Sequence, residues 1–270
     1  MRFTVKVPGS CGELVQGTLN GKPFLITCPV NLFTAVTISD EFTEHIGLSW
    51  KATTMLAKVL EYLGCSTFDF GIVLESELPI GKGMASSSAD IAAIGKAAAL
   101  ALGTDLTAEE IATLAVSIEP TDGVFYGGIV AMNPLTGQLL SNINLRSEYK
   151  IAIFDFGGKV DTLDFKRQSN LNLTKLPSIF DFDMTTLSAL ANQTILRKPY
   201  LEDIILFAKS MGALGVTNAH TGTVIGVIFA EDTNQTHIED FSSALIKKFA
   251  HITFLAAVNL INGGFYLSHD

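Results

Sequence analysis

The stretch LPIGKGMASSSAD, Leu78 to Asp90, decides how the fold of this sequence is interpreted. Two glycines, a lysine and three consecutive serines separate an apolar run typical of a strand, FDFGIVLESELP, from an alanine-rich run typical of a helix, ASSSADIAAIGKAAALALG. A glycine-rich turn that opens a helix directs unpaired backbone N–H groups and the positive end of the helix dipole to one place. The stretch therefore predicts an anion site, and phosphate is the anion that such sites commonly hold.

Two familiar phosphate motifs do not match this stretch. A Walker A loop ends in Gly-Lys-Ser/Thr, whereas Lys82 is followed by Gly83 and the serines come later. The dinucleotide-binding glycine fingerprint is absent as well. The alternative at this point is an ordinary tight turn in which a serine caps the helix.

Composition limits the class of protein. The chain has 270 residues, 48% of them hydrophobic, so we expect a substantial core and two domains, residues 1–149 and 150–270. A net charge of −9 argues against a surface that binds nucleic acid or an anionic membrane. Three cysteines without C-x-x-C spacing predict neither a disulfide framework nor a zinc site, and we expect buried thiols in a reducing compartment.

Neither a targeting segment nor a membrane span is predicted. The first ten residues, MRFTVKVPGS, alternate like a strand and lack the apolar core of a signal peptide. The longest apolar stretches contain Lys96 and His251 and are shorter than the roughly 20 residues that a span requires. We expect a soluble, cytoplasmic protein with no membrane partner.

The secondary structure predicted from the pattern is mixed. In the first half, strands are expected in RFTVKVP, GKPFLITCPV, FTAVTIS and GIVLES, helices over 50–63, 87–102 and from Thr107 to Pro120, and a hairpin over 127–143. Thr107 and Glu110 have capping-box spacing. After a polar stretch near Tyr149 we expect a strand, a looser region over 159–175, helices over 199–211 and 238–249, and further strands.

Three glycine-rich segments, PGSCGELVQG, PIGKGMASSSAD and GALGVTNAHTGT, resemble in order and spacing the three signature motifs of the GHMP small-molecule kinases. The resemblance implies an α+β, two-domain fold, with an N-terminal domain like ribosomal protein S5 domain 2 and a C-terminal ferredoxin-like α/β sandwich. It also implies ATP and Mg²⁺ as cofactors and a small-molecule substrate. In that family the middle motif wraps the ATP triphosphate.

By this resemblance the middle motif supplies the nucleotide-binding residues: Pro79, Gly81, Lys82, Gly83, Met84, Ala85, Ser86, Ser87 and Ser88. Ser87 matches the family serine whose hydroxyl reaches the metal, and Ser86 is the alternative. Lys82 is a further catalytic candidate, because it could contact phosphate, or it is a solvated loop charge.

Glu119 and Asp122 are three residues apart just past a predicted helix end, so both carboxylates can face one pocket. That arrangement suits a metal and a base. By resemblance, Glu119 corresponds to the Mg²⁺ carboxylate and Asp122 to the aspartate that takes the hydroxyl proton. The interval from Asp122 to Gly127 is shorter than is usual in the family, and some members work without a base. An Asp-Gly turn is the structural alternative.

The outer two motifs are implied to form the acceptor site. The expected residues are Glu13 and Gln16 in the first motif, Gly215, His220, Thr221 and Gly222 in the third, and Asp161 in KVDTLDF. The alternatives are a solvated loop for Glu13 and Gln16 and a core histidine for His220. Trp50 lies near the adenine or in the core, and the core is favoured.

Within the superfamily, GSCGELVQG, GKGMASSSADIAA and EPTD most resemble the L-threonine kinases of cobalamin side-chain synthesis. Homoserine and mevalonate kinases usually end the first motif in a Gly-Glu-His-like sequence, whereas here Glu13 precedes Leu14. The resemblance implies transfer of the γ-phosphoryl group of ATP to L-threonine, with another hydroxyl acceptor as the alternative. A non-catalytic S5-like nucleic-acid module is disfavoured by charge, and an inactive ATP-binding regulator by the presence of Ser87, Glu119 and Asp122.

Overall fold

The computed structural model of the chain describes residues 1–143, 145, 149–160, 171–176 and 180–269. Asp161, one of the expected acceptor-site residues, lies outside them. Within these residues, no helix combines the length and the apolar character needed to cross a membrane.

The first half of the chain alternates long strands with three helices. Its elements are β1 (Arg2–Leu19), β2 (Lys22–Ser39), β3 (His45–Ile46), α1 (Trp50–Leu63), β4 (Gly71–Ser76), α2 (Ser86–Ala101), α3 (Ala108–Val116), β5 (Ile129–Met132) and β6 (Leu139–Ile143). The three helices and the β5–β6 hairpin confirm the sequence predictions to within a few residues. The four strands expected in the first half form three, because GKPFLITCPV and FTAVTIS belong to one continuous strand.

The second half contains shorter strands and three further helices. Its elements are β7 (Lys150–Asp155), β8 (Asn172–Leu173), α4 (Phe182–Ala191), α5 (Leu201–Ser210), β9 (Gly215–Asn218), β10 (Val224–Phe229), α6 (Gln235–Lys248), β11 (Thr253–Asn259) and β12 (Tyr266–His269). A short 3₁₀ turn, Asn192–Thr194, follows α4. Helix α4 has no counterpart in the sequence predictions.

The described strands form one sheet, whose main path runs β11-β7-β10-β9-β1-β2-β4-β3. Its first four strands pair antiparallel, and together with the intervening helices they have the strand order of a ferredoxin-like α/β sandwich. Strand β1 joins the two halves, because it pairs with β2 along its whole length and with β9 at Glu13 and Asn218.

Two apolar cores lie on this sheet. The first contains the apolar residues of β1 and β2 and the buried faces of α1, α2 and α3. The second lies between the C-terminal strands and helices α5 and α6, where Phe154, Phe229 and Phe241 are fully or almost fully buried. The domain boundary near Tyr149 stays a prediction.

Local sequence explains where several of these helices begin and end. Ser49 caps α1 by accepting a hydrogen bond from the N–H of Ala52, and Gly64 ends the helix in a left-handed conformation. Thr107 and Glu110 form the predicted capping box at the start of α3. Cys11 and Cys28 are buried as expected, and burial raises the pKa of both thiols well above its usual value. Cys65 is only partly buried.

The three glycine-rich segments meet at one point. A Cβ atom at Gly222 would overlap the carbonyl oxygen of Lys82 and the backbone of Gly83, so the second and third segments touch backbone to backbone. The N–H of Thr223 donates to the Lys82 carbonyl at 2.9 Å, and the N–H of Ser10 donates to the Met84 carbonyl at 3.0 Å. Residues far apart in the sequence thus fix the glycine loop before α2.

We predict that Gly83→Ala is much more destabilising than Gly103→Ala. Both glycines have a positive φ, +81° and +77°, so each alanine incurs about 1–2 kcal/mol of left-handed strain. A Cβ at Gly83 would also overlap Ala219, whereas Gly103 has open space around it. Overpacking adds about 1–3 kcal/mol at Gly83 alone. Equilibrium urea unfolding measures both variants, and equal losses would contradict the close packing.

Candidate active site

A cavity of about 440 Å³ lies where the glycine loop, the start of α1, the chain after α3 and the third motif come together. Eleven of the expected site residues line it: Glu13, Gly81, Gly83, Met84, Ala85, Ser86, Ser87, Ser88, Glu119, Asp122 and Thr221. The walls also include residues that the sequence analysis assigned no firm role: Ser49, Trp50, Lys51, Ile80, Asp90, Pro120, Lys159 and Val160.

Helix α2 opens onto this cavity without a side-chain cap. Ala85 stands at the N-cap position in a left-handed conformation, φ +55°, and no side chain there accepts a hydrogen bond. The alternative that a serine merely caps the helix is therefore wrong. Since the first N–H groups of a helix have no intrahelical acceptor, they are available to an anion in the cavity.

The serines are instead bonded across the cavity wall to the segment after α3. Ser87 Oγ donates to Glu119 Oε1, and Ser88 Oγ accepts a hydrogen bond from the N–H of Asp122 at 3.0 Å. Glu119 and Asp122 are 3% and 6% exposed, and both line the cavity. The two carboxylates therefore face one pocket, as their spacing predicts.

Two other cavity residues complete this charged cluster. The ammonium of Lys51 lies 2.6 Å from Glu119 Oε2. Asp90, on the first turns of α2, accepts a hydrogen bond from Thr34 at 2.8 Å, and burial raises the pKa of its carboxyl to about 6. The cavity wall thus combines four carboxylates with two lysines, Lys51 and Lys159.

The donor set fits a magnesium ion that is shared with a phosphate chain. Mg²⁺ prefers oxygen ligands and is commonly held by one or two carboxylates together with substrate phosphates. The Ser87 hydroxyl and the Glu119 carboxylate are oxygen donors in contact with each other at the end of the glycine loop. Within the described residues, no group of three or more His, Cys, Asp or Glu side chains forms a complete metal site. Phosphate oxygens and water would have to complete the coordination.

The first and third motifs meet in a buried polar network beside the cavity. Glu13 Oε2 accepts a hydrogen bond from the N–H of His220 at 3.0 Å and lies 3.1 Å from His220 Nδ1. Ser188 Oγ lies 3.4 Å from His220 Nε2 and accepts from the N–H of Gln16 at 2.9 Å. Glu13 and Gln16 belong to strand β1, so the alternative of a solvated loop is wrong for both.

A buried lysine supports the third motif from behind. Lys198 is 2% exposed, and its ammonium donates to the carbonyl oxygen of Ala219 at 2.6 Å. Burial lowers the pKa of Lys198 to about 7, while the negative charge of Glu13 acts in the opposite direction. No sequence pattern marks this residue, because Lys198 follows an irregular turn and its partner lies 21 residues further on.

Several expected site residues lie outside the cavity wall. They are Pro79, Lys82, Gln16, Gly215, His220 and Gly222. The ammonium of Lys82 lies 2.5 Å from Asp155 Oδ2 and donates to the Gly158 carbonyl, so Lys82 is not a solvated loop charge. Its contact with phosphate stays a prediction. Trp50 is 59% exposed and lines the cavity, so the expected core position is wrong.

We predict that Lys198→Met removes a pH dependence of stability. The unfolded chain keeps this lysine protonated up to about pH 10.5, whereas the folded chain releases the proton above about pH 7. The contribution of Lys198 to the free energy of unfolding should therefore rise with pH between these values. The buried thiols Cys11 and Cys28 act in the opposite direction above about pH 8.5 in every variant, so the effect of Lys198 is the difference in slope between wild type and Lys198→Met. Urea unfolding at pH 6.5, 8 and 9.5 measures the slope. Lys58→Met, a substitution on α1 outside the cavity, is the control, and an unchanged slope in Lys198→Met would contradict the lowered pKa.

Comparison with known proteins agrees with this geometry. Residues 48–132 match the N-terminal domain of the GHMP kinases. The L-threonine kinase of Citrobacter freundii is 28% identical over 263 residues, which cover 89% of this chain and 90% of the relative. A mevalonate kinase structure superposes with a TM-score of 0.68 at 14% identity, covering 96% and 99% of the two chains. The homoserine kinase of Cytophaga hutchinsonii gives 0.62 at 18% identity, covering 99% and 97%.

The cavity is built on an uncapped helix N-terminus, a feature suited to an anion, in an α+β fold that the chain shares with these enzymes. The chain is similar to the GHMP kinases, in residues 48–132 to the model of their N-terminal domain and over about nine-tenths of its length to an L-threonine kinase of 28% identity. The predicted α+β fold class is confirmed.

Proposed function

We propose that this protein is an ATP-dependent kinase that transfers the γ-phosphoryl group of ATP to the hydroxyl of L-threonine, giving O-phospho-L-threonine and ADP for cobalamin biosynthesis. The observation that carries the proposal is the similarity to the L-threonine kinase of Citrobacter freundii over about nine-tenths of both chains. The fold does not select the acceptor, since mevalonate and homoserine kinases share it.

The phosphates lie along the glycine loop in this proposal. The backbone of Gly81 to Ser86 and the first turn of α2 supply N–H donors, and the contact between Gly83 and Gly222 holds the loop in place before nucleotide arrives. Phosphoryl transfer needs little covalent chemistry from a protein, so positioning and charge neutralisation supply most of the rate enhancement. A preformed loop contributes to both.

Ser87 and Glu119 are the proposed metal ligands and Asp122 the proposed base. Bound Mg²⁺ supplies neutralisation of the negative charge on the phosphates. Asp122 accepts the proton of the acceptor hydroxyl. At the same time the hydroxyl oxygen forms a bond to the γ-phosphorus, and the bond from that phosphorus to the ADP oxygen breaks. The hydrogen bond from its N–H to Ser88 fixes the Asp122 backbone beside α2.

The amino-acid part of the acceptor requires partners of both signs. A zwitterion that leaves water needs an acceptor group for its ammonium and donors for its carboxylate. Glu13 lines the cavity and is the proposed partner of the ammonium. The backbone N–H groups around Thr221 are the proposed carboxylate donors, and Lys198 holds this segment from behind through Ala219. Asp161 is retained as a candidate from the sequence alone.

We predict different kinetic effects for the two carboxylates. Asp122→Asn should lower kcat by roughly 10² to 10⁴, the range expected for loss of a general base. Glu119→Gln should mainly raise the Mg²⁺ concentration required for half-maximal activity. Steady-state assays at varied Mg²⁺ measure both effects, with exposed Asp232→Asn as the control. A near-normal kcat in Asp122→Asn would show that the proton is accepted by another group, such as the phosphate itself.

We also predict the order of acceptors. L-threonine should react best, and L-serine some 10- to 200-fold less efficiently in kcat/KM, because one methyl group contributes only about 1–3 kcal/mol. L-homoserine places its hydroxyl one bond further out and should be poorer still. ADP release with L-threonine, L-serine, L-homoserine and mevalonate measures the order. Preference for homoserine or mevalonate would overturn the threonine assignment and leave the kinase activity intact.

A further inference from the structure

We propose that Lys51 is an exchangeable counter-ion: it occupies Glu119 before nucleotide and divalent cation bind, and it pairs with the phosphate chain afterwards. This inference rests on the ATP-binding part of the proposed function and does not depend on which acceptor is used. It concerns a residue that the motifs do not contain, since Lys51 lies in the first turn of α1.

The geometry of Lys51 supports competition for Glu119. Its ammonium lies 2.6 Å from Glu119 Oε2, while Ser87 holds the other oxygen of the same carboxylate. The side chains of Lys51 and Glu119 are 14% and 2% exposed, so little water screens the pair. A divalent cation that binds Glu119 must therefore displace this ammonium or share the carboxylate with it.

The charge of the cavity supports the second step of the exchange, in which Lys51 pairs with the phosphate chain. Four carboxylates and two lysines line the wall, so a polyanionic triphosphate needs additional positive charge close to the glycine loop. A lysine ammonium ends a flexible four-carbon stem and can change partner without movement of its backbone. Ser49 fixes that backbone by capping α1, and the centre of the exposed Trp50 ring lies 5.7 Å from the ammonium.

A permanent structural ion pair is the competing explanation, and the two make opposite predictions for metal binding. If the ammonium is a competitor, its removal frees Glu119 and tightens binding of a divalent cation in the absence of nucleotide. If the pair only stabilises the wall, its removal leaves a strained or disordered carboxylate, and cation binding weakens or stays the same. The affinity for nucleotide then distinguishes two cases: it falls on removal of the ammonium if Lys51 pairs with the phosphates, and it does not change if Lys51 never reaches them.

The experiment compares the wild type with Lys51→Met and with Lys58→Met, which removes the same charge from the same helix outside the cavity. Electron paramagnetic resonance measures Mn²⁺ binding without nucleotide, and calorimetry measures ATP binding with Mg²⁺. We expect Lys51→Met to bind Mn²⁺ about tenfold more tightly and MgATP about tenfold more weakly, and Lys58→Met to match the wild type. Adding Glu119→Gln to Lys51→Met should abolish the gain in Mn²⁺ binding.

Every other outcome contradicts either the competition for Glu119 or the exchange of Lys51 to the phosphates. Unchanged or weaker Mn²⁺ binding by folded Lys51→Met overturns the competition, and unchanged MgATP affinity overturns the exchange. If the wild type binds no MgATP, the proposed function and the exchange both fail, while the Mn²⁺ comparison still decides the competition. Circular dichroism checks folding, and Lys51→Gln replaces Lys51→Met if the methionine variant does not fold.

Discussion

The backbone contact between Gly83 and Gly222 is the constraint on which the rest of the site depends. No side chain fits at either glycine without overlapping the other segment, and the Lys82 carbonyl at the same place accepts a hydrogen bond from Thr223. The first motif adds a bond from Ser10 to Met84. Because both contacts join residues that are distant in sequence, the loop before α2 is held by tertiary structure. Its N–H groups can therefore face the cavity without being used to stabilise the loop itself.

The same cavity combines two opposing electrostatic requirements. In the proposed function, carboxylates hold a metal and accept a proton, yet the negative charges of Glu13, Asp90, Glu119 and Asp122 would together repel the phosphates of the nucleotide. The helix N-terminus offsets part of this repulsion with fixed backbone dipoles. A mobile cation such as Lys51 can offset more, since its side chain can serve the carboxylates in one state and the phosphates in another.

Sequence patterns predicted the features that are local and failed for those that depend on packing. The capping box of α3 and the glycine loop are short-range signals, and the structure contains both. Helix α4 was missed because its sequence, FDMTTLSALA, mixes β-branched and small polar residues without clear periodicity. The Lys51–Glu119 pair joins residues 68 positions apart and exists only because α1 and α3 pack against α2 and against each other. Lys198 is likewise defined by its burial rather than by its neighbours in sequence.

In the proposed function, phosphate binding and acceptor recognition are physically connected through the third motif. His220 contacts Glu13, and Gly222, two residues later, packs against the glycine loop. An acceptor ammonium that pairs with Glu13 would compete with His220, and the resulting shift would act on a segment that already touches the phosphate loop. Backbone groups dominate on the loop side, whereas side chains dominate around Glu13. We therefore expect a change of acceptor to require side-chain substitutions around Glu13 and not a change of the loop, in agreement with one fold being shared by kinases named for different acceptors.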